Sequence, residues 1–116
     1  MAYLNENVTY IGKTGTKYSF RLFTHETVFS EKSGGVYLFG KRTDNPTGGG
    51  LITKLYFGKA KIFNERLDNH EKWDAAKKLG CNCIGIHATG SESISLTVEE
   101  DILKNNDTPL NTHHNS

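Results

Sequence analysis

The chain predicts an α/β fold of the α+β kind, a small and mainly antiparallel sheet flanked by helices. Three observations point there. Two pairs of strand-like runs are each joined by a glycine-containing turn, at residues 8–23 and 35–58. Residues 61–79 repeat their apolar positions at helical spacing. A single apolar run, residues 81–88, then lies between two helical stretches. With 116 residues the chain holds one domain and one small core.

Residues 8–11 and 17–23 alternate apolar with polar side chains and favour aromatic and β-branched types. Gly12-Lys13-Thr14-Gly15-Thr16 between them supplies a turn, so this segment reads as a hairpin with a five-residue loop. The Gly12-Lys13-Thr14 triplet is not a phosphate loop, because Asn7 stands where that motif needs a glycine and no helical pattern follows. Residues 24–33 are a polar connection. Residues 35–41 form an apolar strand, Asp44-Asn45-Pro46-Thr47-Gly48-Gly49-Gly50 a flexible tip, and residues 51–58 the returning strand.

The helix predicted over 61–79 stops at Gly80, the residue type expected just past a helix end. At about 100° per residue, Ile62, Phe63, Leu67 and Trp73 share one arc. Arg66 and His70, one turn apart, fall in the middle of that arc. A guanidinium turned inward is costly unless an anionic or polar group meets it. Residues 81–88 form a third core strand, with Ile84 and Ile86 on one side and Cys81, Cys83, Gly85 and His87 on the other. After a loop over 90–95, Thr97 caps a helix running through Glu99 to about residue 105, with Glu100 three positions on in the capping-box pattern. Pro109 ends that region. The expected organisation is an N-terminal hairpin extension over 1–33, a core over 34–111 and a disordered tail over 112–116.

Net charge is +1, which excludes a global polycation. Residues 1–66 nevertheless carry ten Lys/Arg against five Asp/Glu, and residues 67–116 carry four against eight. Lys54, Lys59, Lys61 and Arg66 gather around Tyr56 and would attract anions. No apolar run approaches the ~20 residues that span a bilayer. Residues 1–7 lack a basic start followed by an apolar run, so a cytoplasmic location with no membrane partner is expected. Two cysteines do not make a disulfide scaffold. Cys81, Cys83 and His87 along one strand face lack an evident fourth zinc ligand and read as core. Trp73 is most simply core, and His113-His114 belongs to the polar tail.

Five short elements recur in a familiar order. Gly35-Val36-Tyr37 comes first, then Tyr56-Phe57-Gly58-Lys59-Ala60-Lys61, then Arg66-Leu67-Asp68-Asn69-His70. Glu99-Glu100-Asp101-Ile102-Leu103 and Thr108-Pro109-Leu110-Asn111 close the series. In this pattern the chain resembles the GIY-YIG nuclease superfamily, with Val and Phe at the two isoleucine positions. Residues 56–67 are similar to the GIY-YIG half of the bacterial excision-repair incision nuclease. The resemblance covers about residues 34–111, and the hairpin before it looks like a subgroup of small bacterial proteins carrying this domain.

The resemblance implies a metal-dependent endonuclease acting on DNA, with RNA as a possible substrate. Tyr37, Tyr56, Arg66, His70 and Glu99 would be catalytic. Glu99 would hold Mg2+ or Mn2+, with the adjacent Glu100 as the fallback ligand. Arg66 has the planar, permanently charged fork that suits a phosphate clamp. Either tyrosine would be the general base, Tyr37 slightly favoured, and His70 would bond a phosphate oxygen or orient Tyr56. Lys54, Lys59 and Lys61 would bind substrate, with Asn111 tying the tail back near the site. The alternative is a non-catalytic nucleic-acid-binding or protein-interaction module that keeps the fold. Sequence leaves open the oligomeric state, the target and the pathway.

Overall fold

The computed structural model describes residues 3–24, 34–48, 50–63, 67 and 70–111, with backbone alone for residues 3–5. Five strands are β1 (Tyr3–Ile11), β2 (Lys17–Thr24), β3 (Gly35–Asp44), β4 (Gly50–Ala60) and β5 (Cys83–Ala88). Two helices lie wholly among the described residues, α1 (Trp73–Lys78) and α2 (Glu92–Leu103). The strands form one antiparallel sheet in the order β1-β2-β5-β3-β4. This is the α+β architecture expected from the sequence, and the N-terminal hairpin is continuous with the sheet through the β2–β5 pairing.

Side-chain alternation gives the sheet two apolar faces. In β2, Tyr18, Phe20 and Leu22 are buried between exposed Lys17, Ser19 and Arg21. Val36 and Leu38 of β3 join Phe20 and Phe57 on the face covered by Val98, Ile102 and Leu103 of α2. Tyr37 and Phe39, offset by one residue, join Ile84 and Ile86 on the face that packs against Ala76 and Trp73 of α1. β3 and β5 are therefore apolar on both sides, which explains their near-continuous hydrophobic runs. The sheet also curls. The β1 ring of Tyr10 lies 5.3 Å from Phe57 of β4, and Glu6 of β1 reaches Arg42 of β3 at 2.6 Å. Cys81 and Cys83 are buried free thiols, and burial pushes Cys83 up to about 12.

Two helix expectations are corrected. The stretch 61–79 is not one helix: Phe63 and Leu67 are helical, His70 is not, and α1 spans only Trp73–Lys78. The break is local chemistry. His70 accepts the Lys72 amide on its Nδ1 at 2.9 Å, and its carbonyl accepts from Trp73 N at 3.0 Å, so side chain and backbone together make a turn. Gly80 does stop the helix, at φ 93°. Cys81 N donates to Ala76 O and Gly80 N to Lys77 O, both at 3.0 Å, the paired bonds of a Schellman ending. The last helix starts six residues earlier than expected, its cap being Ser91 rather than Thr97. Ser91 caps it, its Oγ accepting from Ile94 N at 3.2 Å, while Thr97 sits inside the helix and donates to Ser93 O at 3.0 Å.

The hairpin loop over 12–16 grips α2 through Asp101. Thr14 N donates to Asp101 Oδ1 at 3.0 Å, and both Thr14 Oγ1 and Tyr18 Oη donate to Oδ2 at 2.7 Å. The Tyr18 hydrogen bond, ahead of those from Thr14, holds the Asp101 carboxyl below its ordinary 3.8. The unfolded chain therefore takes up this proton first, and the stabilisation is present above the ordinary value and lost as pH falls through the lower folded one. Asp101→Asn should flatten the acid limb of a stability–pH curve below about pH 4. An unchanged acid limb in chemical denaturation series would refute this.

Tyr10 Oη is buried with no hydrogen-bond partner among the described residues. Burial also pushes its phenol above the usual tyrosine range. Removing an unpaired buried hydroxyl while keeping the ring should cost nothing and gain up to about 1 kcal/mol. Tyr10→Phe should thus melt at or above wild type, and a clear drop in denaturant midpoint would contradict the expectation.

Candidate active site

The two half-motifs lie directly against one another. β3 and β4 pair so that Tyr37 faces Gly58, Phe39 faces Tyr56 and Gly35 faces Ala60. A register break after Phe39 gives β4 one extra residue, which is Leu55. Leu55 and Tyr56 consequently both join the α1 side of the sheet. Gly58 is required by contact. A Cβ there would stand 2.3 Å from Tyr37 Oη and 2.4 Å from Cζ, so the phenol occupies the space a side chain would need.

His70 closes over this surface. Its ring lies 5.4 Å from Tyr37, 4.9 Å from Phe39 and 5.5 Å from Tyr56, each edge-to-face. The Tyr37 and Tyr56 rings are 6.1 Å apart. Because Nδ1 already accepts the Lys72 amide, the neutral ring carries its proton on Nε2, and Nε2 is hydrogen-bonded to Tyr37 Oη. The tautomer follows from the turn, and it makes Tyr37 Oη an acceptor. Tyr37 is fully buried at 0% exposure, while Tyr56 keeps 8% and His70 4%.

The remaining candidates are distributed differently. Arg66 lies outside the described residues, as does the tail over 112–116 and most of the connection over 24–33. Glu99 is buried on the sheet-facing stripe of α2 with Ser95, Val98 and Ile102. That helix covers the Val36–Leu38 side, so Glu99 and the two tyrosines belong to opposite faces of the sheet. β4 is the edge strand between those faces. Lys59 pairs opposite Val36 and is exposed on the α2 side. Lys54 donates to Asn106 Oδ1 at 3.2 Å and sits 5.6 Å over the Tyr10 ring. Lys61 lines a cleft with Gly34, Ala60 and the first residues of α2. The basic side chains thus follow β4 without joining the tyrosines on one face.

Asn111 is bound to β4 itself. Its Oδ1 accepts from Phe57 N at 2.7 Å and its Nδ2 donates to Phe57 O at 2.9 Å, so the carboxamide completes the edge of the strand. Glu100 is exposed on α2, which leaves Glu99 as the buried member of the pair. Asp101 carries no sequence signal of its own, because the hairpin loop that engages it lies at the other end of the chain.

Among the described residues no three His, Cys, Asp or Glu side chains gather in a way that could hold a metal ion. The donor set available at Glu99 is one carboxylate, which suits a magnesium-type ion completed by water and phosphate oxygens. Among those residues no helix is long and apolar enough to cross a membrane. Comparison with protein-family models, with curated proteins and with solved structures finds no match to this chain.

Proposed function

We propose that this protein is a metal-dependent endonuclease of the GIY-YIG kind, hydrolysing DNA phosphodiesters in the cytoplasm. One observation carries the reading. Motif elements nineteen or more residues apart in sequence meet in space: Tyr37 packs over Gly58 and beside Tyr56, and His70 closes on Tyr37. RNA presents the same phosphate chemistry and remains a second substrate class.

In this reading Tyr37 is held by His70 and is too buried to meet substrate, while Tyr56, with part of its surface open, is the phenol that water approaches. A tyrosine near its usual pKa of about 10 is a weak base at neutral pH, so its ionised form needs nearby positive charge. Arg66, ten residues after Tyr56 in sequence, would supply that charge and meet the phosphate oxygens, while Lys59, on the α2 side of β4, would attract the nucleic-acid backbone. Glu99 would hold Mg2+ or Mn2+, which when bound supplies charge for the leaving oxygen and polarises water. Lys54 and Lys61 attract the backbone, and Asn111 keeps β4 in place.

The specific fact favouring the alternative is burial. Two nearly closed phenols, with Glu99 on the other face of the sheet, suit a non-catalytic module that binds nucleic acid or protein. Metal-dependent nicking of supercoiled plasmid separates the two. Wild type should nick with Mg2+ or Mn2+, and Glu99→Ala and Arg66→Ala should each lose on the order of a hundredfold. Equal cleavage by all three would overturn the assignment, and salt-sensitive DNA binding without turnover under either metal would favour the module.

A further inference from the structure

We propose that the loop over residues 12–16 positions the Glu99 helix, with Asp101 as the positioning residue on which it acts. The proposal rests on the reading of Glu99 as the cation ligand. A helix lying on a sheet can roll about its own axis. At a radius of about 5 Å, a roll of roughly 30° moves a side chain by about 3 Å. The apolar stripe of Val98 and Ile102 limits this roll weakly, since apolar contacts have no preferred direction. Hydrogen bonds are directional.

Asp101 and Glu99 are two residues apart, about 200° around the helix, and so lie on opposite flanks of the buried stripe. On the Asp101 flank the clamp is dense. Lys13 N donates to Asp101 O at 3.0 Å, and the carboxylate accepts from Thr14 N, Thr14 Oγ1 and Tyr18 Oη. Gly12 lies so close that a Cβ would stand 2.1 Å from Asp101 Oδ2. A second pin follows at the helix end. Asn105 Nδ2 and Asn106 Nδ2 both donate to Ile11 O, at 2.8 and 2.9 Å. Fixing one flank in roll and the end against sliding fixes the aim of Glu99 on the other flank. The hairpin is thereby part of the apparatus that presents the carboxylate.

The test is Mn2+ binding to the full chain, read by water-proton relaxation, with no nucleic acid present. Glu99→Gln should abolish the saturable signal. Asp101→Ala and Thr14→Val should remain folded and weaken Mn2+ affinity by about tenfold, the cost of a displaced ligand. Thr14→Ser, which restores the hydroxyl donor, should bind as wild type. Arg42→Ala, which breaks the Glu6 and Asp44 pairs elsewhere, should lower stability without changing affinity. If Asp101→Ala does not fold, Thr14→Val against Thr14→Ser decides alone. Wild-type affinity in folded Asp101→Ala or Thr14→Val would overturn the clamp while leaving Glu99 as ligand. Wild-type affinity in Glu99→Gln would overturn the ligand assignment itself.

Discussion

Gly58→Ala should destabilise the protein by about 3 kcal/mol, the upper end of what overpacking a closed core costs. The added carbon would fall 2.3, 2.4 and 2.9 Å from three atoms of the Tyr37 side chain. Tyr37 has no room to retreat: it is fully buried, with Phe39 5.4 Å away and His70 bonded to its oxygen. The strand cannot give either, because Gly58 is paired within the β3–β4 ladder. The melting temperature should fall by on the order of 10 °C. Tyr37→Phe should not rescue the variant, since Cζ is as close as the oxygen. Tyr37→Leu should rescue it in part, giving a coupling of about 2 kcal/mol in a double-mutant cycle. Additive losses in that cycle, or a Gly58→Ala protein melting with wild type, would show that the ring is not what demands glycine.

The strands were legible because their signal is local. Alternation in residues 17–23 and the Gly12–Gly15 turn are each read within a few positions, and β2 follows them closely. The stretch over 61–79 departs from the helix its periodicity predicts for a physical reason. Periodicity registers which positions are apolar, but it does not register a histidine whose Nδ1 takes an amide two residues ahead and so replaces a helical bond with a turn. The start of α2 is hidden in the sequence because Ser91, Ser93 and Ser95 read as loop composition. In the fold, the Ser91 hydroxyl caps the helix and Ser95 Oγ donates back to Ser91 O at 3.2 Å. Within the candidate site, the two half-motifs told which strands must pair. They did not tell that Glu99 would lie across the sheet from them, because the side of a sheet on which a helix packs depends on chain routing rather than on spacing.

Asn111→Ala is expected to be as damaging as the glycine substitution, by a different route. Asn111 is 1% exposed, and its carboxamide stands in for the neighbour that the edge strand β4 lacks. Removing it strands Phe57 N–H and Phe57 C=O in a dry environment and takes an acceptor from Thr108 Oγ1. Each buried group left unpaired costs about 1–3 kcal/mol, so a total near 3–4 kcal/mol is expected. Leu110 N, which donates to Leu55 O at 3.1 Å, would keep a single tether between the segment and the strand. Asn111→Asp makes the cause visible. It preserves the acceptor for Phe57 N–H but turns a charged oxygen toward Phe57 C=O, which favours the protonated acid in the folded state. Its folded pKa is then raised, so its deficit against wild type should shrink as pH falls from 7 towards 5. Hydrogen exchange should report the same event locally, with the Phe57 amide losing protection first. Since Phe57 lies between Tyr56 and Gly58, loosening this edge also releases the surface on which the tyrosines are held. Full protection of that amide in Asn111→Ala would mean that the strand edge is held by other contacts.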